Sequence, residues 1–109
     1  MDLQEICTKI YEIAMPICAK SEAPIAYISV ILGRDFPFEP QELYRTFNKI
    51  KWNTPLASSE IDIDGLHADE FLRVSSLIAF EDENGNAQMF EIPKSEGVIF
   101  ADSDCTPLA

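Results

Sequence analysis

The chain has 109 residues and a mass of 12.2 kDa, enough for one compact domain and too few for two. It is 47% hydrophobic and 25% charged, the balance of a packed core rather than of a disordered segment. Nineteen acids against eight bases give a formal charge of −11 and a pI near 4.2. That charge argues against nucleic acid or anionic membrane as a partner, because both require a cationic face. The acidity is also uneven. Residues 1–54 hold seven acids and six bases, whereas residues 55–109 hold twelve acids against Arg73 and Lys94 alone.

Residues 2–20 read as a helix, since Leu3, Ile6, Ile10, Ile13 and Ile17 recur at the helical period. Asp2 with Glu5 forms the pattern of a capping box, and Pro16 predicts a kink or an early end because it removes the hydrogen bond to the Glu12 carbonyl. Ile25–Leu32 is almost wholly apolar and rich in β-branched residues, the pattern of a strand covered on both faces. After a turn at Gly33-Arg34-Asp35, Pro40 suits the first residue of a second helix with Leu43, Phe47 and Ile50 facing the core.

In Ser59–Asp64, Ile61 and Ile63 alternate with Glu60, Asp62 and Asp64, which predicts a half-buried strand with three carboxylates on its wet face. Gly65–Glu70 reads as a polar connection. Leu72–Phe80 and Ala87–Ile92 flank Asn84-Gly85, a hairpin signal because both turn positions tolerate positive φ. Val98–Ala101 is a candidate last strand. The expected architecture is α+β: two helices packed on one mixed β-sheet with a C-terminal β-hairpin, forming one domain over residues 1–101 with a tail at 102–109.

Candidate chemistry is sparse. Cys7, Cys18 and Cys105 form no CxxC pair, so neither a disulfide framework nor a zinc ribbon is expected. His67 is the single histidine, without a nucleophile motif or an orienting partner beside it. The acids Asp62, Asp64, Asp69 and Glu70 do not fit a calcium loop, because Gly65 arrives two positions too early. No catalytic residue, metal or cofactor is expected, and the enzyme-class alternative is a small metal-dependent hydrolase using the Asp62–Glu70 cluster. The opening Asp2 and Glu5 do not resemble the basic start of a secretory signal, and no apolar run approaches the length of a membrane span, so a cytoplasmic setting is expected.

The run Gly33, Phe36-Pro37-Phe38-Glu39-Pro40-Gln41-Glu42-Leu43, Phe47, Thr54-Pro55-Leu56 and Glu60-Ile61-Asp62-Ile63 resembles the HypA-type nickel-insertion accessory proteins. There a glycine ends a strand, a "vep-x-x-L" helix start follows, and an amphipathic strand closes the unit. The resemblance covers about residues 1–64 and implies a scaffold with a partner-binding role in metalloenzyme maturation. Its metal chemistry is missing: Asp2 stands where the family has its nickel histidine, and residues 66–97 lack the two CxxC pairs of the zinc ribbon. A carboxylate is a poorer nickel ligand than imidazole.

The resulting expectation is a non-enzymatic domain that binds a protein with a basic surface. Glu60, Asp62, Asp64, Asp69, Glu70 and Trp52 are the candidate contact residues. The alternative is an immunity or inhibitor protein that neutralises a cationic toxin or nuclease through the same acids. The sequence sets neither the partner's identity nor an oligomeric state.

Overall fold

The computed structural model describes residues 2–34, 36–67 and 71–100. The elements run α1 (Leu3–Lys20), β1 (Ile25–Gly33), α2 (Pro40–Lys51), β2 (Glu60–His67), β3 (Leu72–Ala79), β4 (Met89–Glu91), α3 (Lys94–Gly97) and β5 (Val98–Ile99). The strands form one mixed sheet in the order β2-β1-β3-β4, with β5 also pairing β3. β1 is parallel to β2, connected through α2, and antiparallel to β3. The α+β class, the mixed sheet and the β3–β4 hairpin are as the sequence predicts.

The helices follow from their caps and stripes. The Asp2 carboxylate accepts the Glu5 amide at 2.8 Å and Glu5 reaches back to the Asp2 amide, completing the capping box. Ile6, Cys7, Ile10 and Ala14 are buried. Pro16 does not end the helix, because α1 runs on to Lys20. Both Pro16 and Glu12 are exposed, so the carbonyl deprived of its amide partner lies on the solvent side, where its cost is smallest. Pro40 opens α2, whose Leu43 and Phe47 are buried. α1 and α2 pack against each other, with α1 over β3 and α2 over β2.

Both helices therefore cover one face of the sheet. Ile28, Val30 and Leu32 of β1 are buried with Leu72, Val74 and Leu77 of β3 and Ile61 of β2 against Ile6, Ile10, Leu43 and Phe47. Among the described residues, neither α1 nor α2 covers the other face. This corrects the reading of β1 as a strand covered on both sides: Tyr27, on the second face, is 47% exposed.

Three further boundaries differ from expectation. β2 continues through Gly65 to His67, where a loop was predicted, because its backbone pairs Leu66 and His67 with Leu32 and Gly33. In the hairpin only Gly85 has a positive φ, at 81°. The Asp82 carboxylate accepts the amides of Asn84 and Asn86, holding the turn without a left-handed Asn84. β4 spans only Met89–Glu91, and the one-turn α3 precedes β5. The predicted tail at 102–109 lies outside the described residues.

Gly97 shows how tightly α3 is docked. A Cβ there would collide with the Val74 carbonyl and meet the Ile92 side chain at 3.1 Å, whereas one on Gly65 would meet nothing within 4 Å. Gly97→Ala is expected to cost about 1–3 kcal/mol of stability and Gly65→Ala under about 0.5 kcal/mol, as read by urea denaturation.

Cys7 supplies a pH test of the core. Its thiol is fully buried, and its sulfur lies 3.7 Å from the Leu43 carbonyl oxygen. Burial pushes its pKa from 9.0 up to about 12. Below pH 9 the thiol is protonated in both folded and unfolded chains. Above that the unfolded chain ionises first, so stability falls as pH rises towards 12. The stability difference between the wild type and Cys7→Ala should shift by about 2 kcal/mol against the wild type between pH 8 and pH 10.5.

Candidate functional site

The acidic strand is positioned by the loop that precedes it. Trp52 ends α2, and Asn53 takes a left-handed φ of 63° to turn the chain. The Thr54 hydroxyl donates to the Lys51 carbonyl at 2.6 Å and accepts the Leu56 amide at 3.2 Å. Leu56 is then driven into the core, and the fully buried Ser59 donates its hydroxyl to the Ile25 carbonyl at 2.6 Å. The Lys51 ammonium donates to the Ser59 carbonyl. These contacts fix where β2 begins relative to β1, and so decide which of its side chains face outward.

From there the register sets the surface. Glu60 pairs with Tyr27, Tyr27 with Ile78, and Ile78 with Met89, so these four share one row across the uncovered face. The next row is Asp62, Ser29, Ser76 and Glu91. A third runs Gly65, Ile31, Arg73 and Val98. Asp64 belongs to no row. It is the extra residue of a β-bulge, since Val30 pairs with Ile63 and Ile31 with Gly65.

Glu60, Asp62 and Asp64 are all exposed, as the alternation predicts. Asp69 and Glu70 lie outside the described residues. Trp52 is 78% exposed at the end of a helix in the other layer, with no ring or hydrogen-bond partner among the described residues. The fold thus gathers Glu60 and Asp62 on the open sheet face with the bulged Asp64 beside them, and leaves Trp52 apart. Tyr44, with Phe47 and Asn48 of α2, lines a groove of about 190 Å³ against Glu60 and Ile61 at the free edge of β2.

The open face also holds apolar residues outside the predicted contact set. Met89 is 58% exposed and Phe80, one residue beyond β3, is 46% exposed; Ile78 and Ile31 are partly exposed. The signal for them was Tyr27 and Ser29 at alternate positions of β1, two residues that a strand buried on both faces would seldom carry.

Among the described residues, no group of three or more His, Cys, Asp or Glu side chains converges as a metal site would require. No helix among them is long and apolar enough to cross a membrane. No protein-family model, curated protein or solved structure matches the chain.

Because Glu60 and Asp62 stand in solvent on an edge strand, reversing their charge should leave the fold intact. The double variant Glu60→Lys/Asp62→Lys is expected to unfold within about 0.5 kcal/mol of the wild type in urea.

Proposed function

We propose that this chain is a non-enzymatic protein-binding domain whose acidic β2 strand engages a partner with a basic surface. The observation that carries this reading is the grouping of Glu60 and Asp62 on the sheet face opposite α1 and α2, Glu60 in one row with the exposed Tyr27 and Met89 and Asp62 in the next. A carboxylate row beside exposed aromatic and methionine side chains combines electrostatic attraction with buried contact area. The buried thiol of Cys7, with its raised pKa, is unsuited to act as a nucleophile, because the reactive species is the thiolate.

The resemblance to HypA-type accessory proteins supplies the biological setting of this reading. Its support is that β1 ends on Gly33, α2 opens on Pro40, Phe47 fills the core one turn after Leu43, and β2 opens on Glu60. On this account the chain is a metal-free accessory protein of metalloenzyme maturation, working by contact alone.

The test is a comparison of crosslinked partners captured by tagged wild type and by Glu60→Lys/Asp62→Lys/Asp64→Lys in the native host. The expected outcome is a partner with a basic surface that the wild type retains and the variant loses at low salt, with capture by the wild type weakening as salt rises. Equal capture by both proteins would overturn the acidic-strand reading.

A further inference from the structure

The open sheet face has a width and a charge pattern that select the shape of what covers it. β2 and β4 are separated by β1 and β3, so three inter-strand spacings of about 4.8 Å set its width at roughly 14 Å. One α-helix with its side chains is about 10–12 Å across. On the two middle strands lie Tyr27, Ile31 and Ile78, with Phe80 one residue beyond β3 and Met89 on the edge strand β4. Carboxylates stand on both sides, Glu60 and Asp62 on β2 and Glu91 on β4.

The floor between the apolar residues is low. Ser29 and Ser76 face each other at its centre, and Ser29 is 4% exposed. Arg73 is the one base in these three rows, and it already has an interaction partner. A second copy of this chain would bring Glu60, Asp62 and Glu91 against like charges on a molecule of net charge −11, which opposes self-association through this face.

We propose that this face is a docking surface for one amphipathic α-helix of a partner protein, apolar along the contact stripe and carrying Lys or Arg on both flanks. This rests on the protein-binding reading above and adds the partner's contact element. The helix lies along the strands, its apolar stripe on Tyr27, Ile31 and Ile78 of the two middle strands with Met89 at its β4 margin, its flanking cations towards Glu60 and Asp62 on one side and Glu91 on the other. It completes a third layer, so that the sheet is covered on both faces.

The experiment titrates the isotope-labelled full chain with a synthetic peptide of roughly 18 residues, five helical turns, with a leucine face flanked by lysines. Two control peptides are used: the same composition scrambled to remove helical periodicity, and the same pattern with Glu for Lys. The expected result is helix formation on binding, chemical-shift changes concentrated at the Met89, Ile78 and Ile31 methyl groups, and roughly tenfold or greater weakening by Ile78→Glu/Met89→Glu. That variant keeps the wild-type melting temperature, and the Glu-for-Lys peptide does not bind.

Equal binding of the scrambled peptide, lost on reversing Glu60 and Asp62, would overturn the helix-docking proposal while the acidic-strand reading stands. An extended peptide that shifts only the β2 edge would overturn it likewise, as would a stable dimer of the chain alone that buries Met89. Binding of no cationic peptide would overturn both.

Discussion

One-sided coverage of β1 is the constraint on which the rest of the structure depends. β1 is hydrogen-bonded on both edges, parallel to β2 and antiparallel to β3, so its backbone is satisfied within the sheet. Its side chains are treated unequally. Ile28, Val30 and Leu32 are buried under α1 and α2, while Tyr27, 47% exposed, is on the face opposite those two helices. Every strand paired to β1 inherits that division, because cross-strand partners share a face. The same parity that buries Ile61 and Leu77 therefore presents Glu60 and Ile78 outward.

The loop from Trp52 to Ser59 converts this division into a defined surface. A shift of one residue at the start of β2 would turn the carboxylates inward and the isoleucines out. The buried Ser59 hydroxyl on the Ile25 carbonyl and the Lys51 ammonium on the Ser59 carbonyl oppose such a slip, since either change would strand a buried polar group. Three bulges then adjust the pattern. Ala26, Asp64 and Ser75 each add an unpaired residue, letting the strands curve while keeping the core residues on the helical side.

Much of the fold was legible because its signals are local. The capping box at Asp2 and Glu5, Pro40 at the start of α2, the Ile61/Ile63 alternation and Asn84-Gly85 each act within a few residues. What was not legible depends on distant partners. The apolar run of β1 cannot say which helices cover it, and here α1 and α2 both lie on one side. The extension of β2 to His67 needs Leu32 and Gly33 to pair with, and the bulge at Ser75 hides the alternation of β3. Of the site, the exposed carboxylates were read correctly from the sequence. Their neighbours Ile78 and Met89 were not, because only the register brings them into the row of Glu60.

The account stands on the openness of that second face in the free protein. Its most direct test is solvent paramagnetic relaxation of methyl groups in the isolated, monomeric chain. The Met89, Ile78 and Ile31 methyl groups are predicted to relax strongly with a soluble paramagnetic probe, while those of Ile28, Val30 and Leu77 remain protected. Equal protection of both sets would show the sheet to be covered on both sides and would contradict the account.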